Sequence, residues 1–471
     1  MGCFLLPIAK SSSLRESCDM KSTQRVELAL EKIANIDHSG YELKSVLAVA
    51  QDAMDKARQY DNTPSPLPLA GFPILLKDNI EAIGLPATAG SLALADTPVV
   101  RDSTIAQRLR AAGAIIIGAT NLSEWANIRS EKSTSGWSAV GGLTANPWRH
   151  SRSAGGSSSG SGAAVAAGIT QWAIGSETDG SIICPASLNG CVGIKPTVGS
   201  VPKDAMIPIS KSQDTPGPMA QTVAQAALLL DVLTDRRIYV QAAETQTPVR
   251  IGLIKQWMTK DDGVNALFEN SIAALSKAGF KIVDIDLPEP SEGNNDDELH
   301  VMLHEIVSGM AEYLATRSGT RVKNLQDIVN FNRINAGTEL EYFGQELFER
   351  ALELGGRGSE YQEKRDRNLT WAEEVLASGI TDADVLMGCT YGPAWISALG
   401  GGDDFRVSSW ISTVPAVAGT PIGTIPMGLV GGLPVGLGFV VGRNKERELI
   451  SAMAQVEKIL DLGVLQPTFI K

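Results

Sequence analysis

The sequence predicts an α/β protein built around a mixed or mostly parallel β-sheet. Short apolar runs such as residues 72–76 and 250–254 alternate with segments of helical periodicity such as residues 264–278. This alternation of short strands and helices is typical of the α/β class. Strand-like runs occur towards both ends of the 471-residue chain, which predicts one interleaved domain and not a string of separate ones.

Most elements of the first half are predicted from hydrophobic periodicity. Residues 21–60 carry apolar side chains near helical spacing and are predicted to be helical. Residues 133–162 are rich in serine and glycine, and glycines and prolines punctuate residues 175–218. The other predicted elements are a strand at 72–76, a helix at 104–112, a strand at 114–118, a fully buried helix at 163–174, an amphipathic helix at 220–233, a strand at 250–254, a helix at 264–278 and a strand at 281–285.

The second half begins with a charged helical stretch, residues 297–380, which we expect to be an insertion that covers one face of the domain. Short apolar strands are predicted after it, at 385–387, 424–427 and 435–441, followed by a final helix at 446–460. Residues 1–19 precede the first helical stretch and are predicted to be a disordered N-terminal extension. The domain itself is then expected to span residues 20–471.

Charge and cysteine content exclude several classes of partner. The net charge is −12 and the pI about 5.0, so the chain has no long-range attraction to nucleic acid or to an anionic membrane surface. No run approaches the roughly 18 apolar residues of a membrane span. The five cysteines are odd in number and form no C-x-x-C pair, which favours reduced thiols in a cytoplasm over disulfides or a zinc ribbon.

Three short segments carry the residues suited to chemistry: K-D-N at 77–79, G-G-S-S-S-G-S-G at 155–162 and E-T-D-G-S-I at 177–182. Lys77 follows an apolar strand, where burial lowers the pKa of a lysine and makes it a general base. Taken alone, a lysine at this position more often reaches from the strand end into water. The second segment lacks the Gly-Lys-Ser/Thr ending of a phosphate-binding loop, and it runs into an apolar helix, unlike a flexible linker.

The third segment places a serine in a glycine turn. Gly180 allows a tight turn that points consecutive N–H groups at one place, as an oxyanion hole requires, with Ser181 as the nucleophile. Ile183 stands where the nucleophile elbow of α/β-hydrolases needs a glycine. The chain has four histidines, and the spacing of His300 and His304 does not match the H-E-x-x-H motif of zinc proteases. A neutral lysine is the remaining base for a serine nucleophile.

Together the three segments resemble the amidase signature family, whose members use a Ser–cis-Ser–Lys triad. The family pattern is a lysine in K-D-N, then the glycine-serine run at 155–162, then a serine 24 positions after the first one, as Ser181 follows Ser157. Further segments that resemble the family are GIKPT at 193–197, DTPGPMA at 214–220, PAVAG at 415–419, IPMG at 425–428 and GLPVG at 432–436. The resemblance covers about 70–235, as a signature core, and about 385–460. It implies a single large domain with a central mixed β-sheet covered by helices on both faces, and no metal or other cofactor.

The resemblance also implies a role for each triad residue. Ser181 attacks the amide carbonyl and forms an acyl-enzyme. Ser157, expected after a cis Gly156–Ser157 bond, passes the proton of Ser181 to Lys77, which is the base. Water then hydrolyses the acyl-enzyme, after ammonia or an amine has left.

The resemblance places the oxyanion at backbone N–H groups, those of Thr178, Asp179, Gly180 and Ser181. Two side chains are candidates for substrate binding, Asn127 and Asp179, although Asp179 is equally suited to cap a turn. Ser153 and Ser158 are lesser candidates that either support the lysine region or brace the turn. The remaining candidates are Ser159 and Ser161 and, as pocket or core residues, Trp125, Trp137, Trp395 and Trp410.

Two departures from the family pattern bear on the substrate. Asp179 stands where many members have glycine, and Ile183 where many have arginine. Together with G-P-A-W at 392–395, this resembles bacterial peptide amidases, which remove the C-terminal amide of peptides. The alternatives are the glutaminase subunit of a tRNA-dependent amidotransferase, which usually carries that arginine, a broad acylamidase and an inactive amidase-like binding protein. The chain is expected to be a monomer or a homodimer.

Overall fold

The computed structural model describes residues 19–63, 65–288 and 293–471 of the chain. The strands are β1 Val46–Val49, β2 Pro73–Lys77, β3 Ile115–Thr120, β4 Trp137–Ser138, β5 Gly142–Leu143, β6 Trp172–Glu177, β7 Val192–Lys195, β8 Thr215–Ala220, β9 Arg250–Ile254, β10 Lys281–Ile285, β11 Val385–Cys389, β12 Ile422–Val430 and β13 Leu433–Val440. The α-helices are α1 Ser22–Lys32, α2 Ala53–Asn62, α3 Leu92–Ala95, α4 Thr104–Ala111, α5 Ser159–Ala166, α6 Ile183–Asn189, α7 Val223–Thr234, α8 Tyr239–Glu244, α9 Asp262–Lys277, α10 Asn294–Thr316, α11 Leu325–Ile334, α12 Ala336–Glu339, α13 Glu346–Leu354, α14 Ser359–Ile380, α15 Thr413–Val417 and α16 Glu446–Leu460.

Eleven of these strands form one sheet, in the order β1-β3-β2-β6-β8-β7-β12-β13-β11-β9-β10. The pairs β3–β2, β2–β6, β11–β9 and β9–β10 are parallel, and the other neighbours are antiparallel. Strands β4 and β5 make a separate small ladder. The predicted α/β domain, with a mixed central sheet covered by helices, is therefore confirmed.

The prediction of continuous helix over residues 21–60 is wrong. Helix α1 ends at Lys32, and a π-helical turn over Ile33–Asp37 leads into a loop and then into β1. The carboxylate of Asp37 accepts hydrogen bonds from the N–H groups of Ser45 and Val46 and so holds the loop closed. Residues of β1 are apolar at four consecutive positions, a pattern that does not separate a short strand from a buried helix.

The predicted buried helix at 163–174 is also wrong in its limits. Helix α5 begins at Ser159, inside the serine-glycine run, and ends at Ala166. Gly168 has φ +65°, the left-handed conformation that commonly follows a helix end, and β6 begins at Trp172. The sequence pattern missed β6, β7 and β8 because their residues are buried on both faces of the sheet, so the alternation of apolar and polar side chains is absent.

The carboxyl ends of three neighbouring parallel strands create the place for a site. Strand β2 lies between β3 and β6, so that Lys77 is paired with Thr120 and Leu76 with Ile174. Ligand sites of open α/β sheets form where such strand ends meet. The segment after Glu177, at the end of β6, is therefore brought next to Lys77.

Helices α10, α11 and α13 share a hydrophobic cluster that is separate from the main core, whereas α14 packs on the main core through Ala372, Val375 and Leu376. Apolar residues of α10, such as Leu303 and Met310, pack with Leu325 of α11 and Phe348 of α13. This cluster also includes Trp125, from the loop after β3, and thus supports that loop from outside the sheet. The predicted extension at 1–19 lies outside the described residues except for Asp19. Within the described part of the chain, each helix is too short or too polar to cross a bilayer.

Candidate active site

Lys77 is the last residue of β2 and its side chain is 0% exposed. Its Nζ donates hydrogen bonds to the Oγ of Ser157 at 2.7 Å, the Oγ of Ser176 at 3.0 Å and the backbone oxygen of Ser176 at 3.2 Å. Burial lowers the pKa of Lys77 to about 7, against the opposing effect of the Asp214 and Glu177 carboxylates. Because ammonium is costly to bury, a large fraction of this lysine is a neutral amine at neutral pH.

Ser157 follows a cis peptide bond from Gly156. The backbone around this bond is tightly enclosed: a Cβ on Gly156 would lie 2.2 Å from the Oγ of Ser123 and 2.6 Å from that of Ser135. The N–H of Ser123 also donates to the backbone oxygen of Ser157 at 3.1 Å. These contacts hold the hydroxyl of Ser157 against the Nζ of Lys77.

Ser181 lies in the turn between β6 and α6. The N–H of Ser158 donates to the backbone oxygen of Ser181 at 3.1 Å, which joins this turn to the one that carries Ser157. The carboxylate of Glu177 accepts from the N–H groups of Ile182 and Ile183, at 2.6 and 2.9 Å, and so fixes the start of α6. Ser181 is 9% exposed, whereas Lys77 and Ser157 are fully buried. A substrate therefore reaches the group from the side of Ser181.

The turn before Ser181 has free backbone donors. Among the described residues, the N–H groups of Asp179, Gly180 and Ser181 donate to no protein acceptor. Gly180 has φ +74°, and a Cβ there would lie 2.3 Å from the Oη of Tyr391. The hydroxyl of Thr178 donates to the carboxylate of Asp214 at 2.7 Å and anchors the start of the turn. Such unpaired, preorganised donors suit an oxyanion.

Asp179 is partly buried beside these donors, with one oxygen in use and one without a partner. Its Oδ2 accepts from the Oγ1 of Thr413 at 3.3 Å, and among the described residues its Oδ1 has no hydrogen-bond partner. Burial raises the pKa of Asp179. Burial and the nearby Asp179 carboxylate raise the pKa of Glu298, whose Oε1 accepts from the Nε2 of Gln213 at 2.7 Å.

Asn127 ends a left-handed turn on the other side of the site. Trp125, Ala126 and Asn127 have φ values of +48°, +53° and +73°. A residue other than glycine in this left-handed conformation costs about 1–3 kcal/mol, and such backbone strain is typical of functional sites. The Nδ2 of Asn127 donates to the Oγ of Ser135 at 3.0 Å, and its buried Oδ1 lacks a partner within the described part of the chain. Since Ser135 lies against Gly156, Asn127 is close to the serines.

The lesser serine candidates brace the backbone around the triad. The Oγ of Ser158 donates to the backbone oxygen of Ser176 at 3.1 Å, and that of Ser161 to Ile174 at 3.0 Å. Ser153 accepts from the N–H of Gly155, and Ser159 donates to the oxygen of Gly155. All four candidate tryptophans pack against other rings in the protein: Trp125 against Phe348, Trp137 against Phe343, Trp395 against Phe405 and Trp410 against Trp257.

Sequence reasoning missed several residues that surround the triad. The hydroxyl of Ser176 accepts a hydrogen bond from the Nζ of Lys77, as that of Ser157 does, and a second one from the Nδ2 of Asn79 at 2.9 Å. Tyr391 and Asp214 contact the turn of Ser181 from segments that are distant in the sequence. No local motif marks these residues, since their position depends on the order of strands in the sheet.

A separate histidine cluster lies in the helical segment. One ligand atom each from His300, His304 and Glu360 lie within 4.8 Å of one another, so the structure supplies a third candidate ligand that the sequence did not indicate. Two cations adjoin the cluster, however: Arg350 is 3.4 Å from His300 and Lys364 is 3.8 Å from Glu360. Their positive charge opposes binding of a metal cation.

Comparisons with known proteins identify the family of the chain. The family model described as Amidase matches residues 26–450. A probable amidase of Arabidopsis thaliana is 32% identical, over 92% of this chain and 85% of that protein. A glutamyl-tRNA(Gln) amidotransferase subunit of Methanococcoides burtonii is 33% identical, over 97% of this chain and 98% of that one. The solved structure of the peptide amidase from Stenotrophomonas maltophilia has a TM-score of 0.89 and 36% identity, and the match covers 99% of this chain and 100% of that one. The chain belongs to the amidase family and is an enzyme that hydrolyses amide bonds.

Proposed function

We propose that the protein hydrolyses C-terminal peptide amides through a serine acyl-enzyme and releases ammonia. The observation that carries the mechanism is the 2.7 Å contact between the Nζ of Lys77 and the Oγ of Ser157, in a place where Lys77 is fully buried. A hydroxyl that contacts a buried amine can carry protons between that amine and a second serine nearby, and the hydrogen bond from the N–H of Ser158 to the backbone oxygen of Ser181 joins the two serine turns.

In the first half-reaction, the Oγ of Ser181 forms a bond to the amide carbon and gives its proton to Ser157, which gives its own to Lys77. The carbonyl oxygen becomes an oxyanion held by the N–H groups of the turn at 178–181, those of Thr178, Asp179, Gly180 and Ser181. The C–N bond then breaks, and the proton returns from Lys77 through Ser157 to the leaving nitrogen. In the second half-reaction the relay removes a proton from water as the water oxygen bonds to the acyl carbon; the bond from that carbon to the Oγ of Ser181 then breaks, and the relay returns the proton to that Oγ.

Two observations support a primary amide at the end of a peptide. The peptide amidase from Stenotrophomonas maltophilia aligns with nearly the whole chain at 36% identity. Asp179 has a buried oxygen, Oδ1, without a partner among the described residues, directly beside the oxyanion donors. A carboxylate there accepts a hydrogen bond from the –NH₂ of an amide and repels the carboxylate of the product.

Glutamine hydrolysis for a tRNA-dependent amidotransferase is the second candidate. The relative from Methanococcoides burtonii, named for that assembly, covers nearly the whole chain. Against this candidate, Ile183 replaces the arginine that such subunits usually carry, and its side chain is fully buried, out of contact with solvent. An isoleucine side chain cannot bind the carboxylate of a glutamine substrate, as an arginine would.

The experiment is ammonia release from peptide amides, free glutamine, acetamide, benzamide and oleamide. Ser181→Ala is expected to abolish release from peptide amides. Ser271→Ala, which changes a buried serine of α9, serves as the matched control and is expected to keep full activity. If only glutamine is hydrolysed, the assignment moves to the glutaminase of an amidotransferase. If the folded protein releases ammonia from none of these substrates, an amidase-like binding protein is favoured.

We also propose that the domain spans residues 20–471, works without a cofactor as a monomer or homodimer, and acts in the cytoplasm. Three cysteines support the last point, since Cys184, Cys191 and Cys389 are buried free thiols. Size-exclusion chromatography with light scattering tests the oligomeric state. Because the proposed mechanism needs no metal, we expect the enzyme to retain its activity after treatment with a chelator.

A further inference from the structure

A loop that follows β11 contacts the oxyanion turn. Tyr391, two residues after the end of β11, is buried, and its hydroxyl lies so close to Gly180 that a Cβ on that glycine would be 2.3 Å away. The same hydroxyl is 3.4 Å from the Oγ of Ser412. This loop therefore forms one wall of the opening above Ser181.

The same loop is also attached on the Ser157 side. The carboxylate of Asp403 accepts hydrogen bonds from the N–H of Ser135, at 3.1 Å, and from the hydroxyl of Ser135. Because Ser135 lies against Gly156, the loop is anchored on both sides of the two serines.

Phe405 lies between these two attachments. Its ring centroid is 5.0 Å from that of Trp395 and 6.1 Å from that of Tyr391. Trp395 and Tyr391 are buried, but Phe405 is 50% exposed and is the single phenylalanine or tryptophan among the exposed large apolar residues of the described chain. An apolar ring supported from behind and open in front is suited to bind another apolar group.

The neighbours of Phe405 leave this surface without net charge. Asp404 and Arg406 flank it in the sequence and pair with each other, with Nη2 to Oδ2 at 2.6 Å and Nε to Oδ1 at 2.7 Å. The pair is exposed and fixes the local backbone. The two charges offset each other, so the surface beside Phe405 has no excess charge to attract a charged substrate group.

We propose that Phe405, supported by Trp395 and Tyr391, binds the side chain of the substrate residue that carries the amide. The enzyme then prefers peptide amides that end in an aromatic or large aliphatic residue over those that end in glycine or alanine. This proposal rests on the proposed function, since it assigns a specificity-determining residue to the same site.

The test compares kcat and KM for N-acetylated dipeptide amides that end in glycine, alanine, leucine or phenylalanine. For the wild type we expect kcat/KM to be about tenfold higher or more with phenylalanine than with glycine. Phe405→Ala is expected to remove most of this preference through KM, whereas Phe405→Leu retains the preference for leucine. Leu429→Ala, a change of an exposed apolar residue at the end of β12, is the control and is expected to change nothing.

Acetamide and 3-phenylpropanamide, in the same panel, separate this proposal from the proposed function. If peptide amides are not hydrolysed but 3-phenylpropanamide is preferred over acetamide in a way that needs Phe405, the peptide substrate is wrong and the aromatic subsite stands. If Phe405→Ala lowers kcat/KM equally for all substrates, or for none, the subsite is wrong.

Discussion

Two lysines at strand ends of the same sheet are equally buried but differ in their partners. Lys77, at the end of β2, donates to the hydroxyls of Ser157 and Ser176. Lys195, at the end of β7, donates to the backbone oxygens of Pro415, at 3.2 Å, and Thr420, at 2.7 Å. Both side chains are 0% exposed, and burial lowers both pKa values, to about 7 for Lys77 and about 8 for Lys195.

The difference shows why burial alone does not make a lysine a base. A hydroxyl both donates and accepts, so a proton that reaches Ser157 can pass on to Lys77. A backbone oxygen only accepts, so Lys195 ties the segment around residues 415–420 to the sheet and has no proton to receive. Lys195 also faces the carboxylates of Glu177 and Asp179, whose charge favours its ammonium form. We infer that Lys195 is a positioning residue.

The largest expected effect comes from Lys77→Met. Loss of the base is expected to lower kcat by about 10³-fold or more, since general base catalysis contributes about 10²–10⁴-fold and the relay ends here. The Tm is expected to stay close to that of the wild type, because the variant removes an amine that is costly to bury. Ammonia release and thermal unfolding measure the two quantities. A kcat within tenfold of the wild type would exclude Lys77 as the base.

The matched variant Lys195→Met is expected to act mainly on stability. It leaves the oxygens of Pro415 and Thr420 without their donor, which costs about 1–3 kcal/mol of unfolding free energy. We expect a lower Tm and a fall in kcat of about tenfold, because the turn at Glu177 and Asp179 loses a nearby cation. If instead kcat falls as far as in Lys77→Met while the Tm is unchanged, the contrast between the two lysines is wrong.

The pH dependence of kcat is expected to show the same contrast. Burial lowers the pKa of Lys77 to about 7, so the neutral amine dominates above that pH and the ammonium below it. The rate is therefore expected to rise with pH, by about tenfold per unit on the acid side, and to level off above about 7. Lys195→Met is expected to keep this rising limb. If kcat no longer rises with pH in Lys195→Met, the titrating group is Lys195 and not Lys77.

The smallest expected effect is that of Asp179→Asn. The neutral amide no longer repels the product carboxylate and loses a charged acceptor for the substrate –NH₂. We expect KM for peptide amides to rise about three- to tenfold, with a smaller change in kcat, as for the loss of one hydrogen bond to a charged group. Inhibition by the peptide acid is expected to become stronger. An unchanged KM and unchanged product inhibition would show that Asp179 only supports the turn.

The parts of the fold that the sequence predicted correctly are those with a clear period or a clear end. The helix at 446–460 agrees residue for residue with α16, because its apolar face repeats at helical spacing and faces the sheet. The strand at 281–285 agrees equally well. In contrast, β1, β6 and β8 were missed, since short or fully buried strands have no alternation to detect.

Sequence alone determined the family and the identity of the three residues proposed for the triad, because their types and the spacing of 24 positions between the serines are local properties of the chain. Only the tertiary structure decided what surrounds them. Ser176 reaches Lys77 because β6 lies beside β2 in the sheet, and Tyr391 and Asp403 come to the site from a loop that is more than 200 residues away in the chain. The lowered pKa of Lys77 is likewise a consequence of burial, which no local sequence pattern specifies.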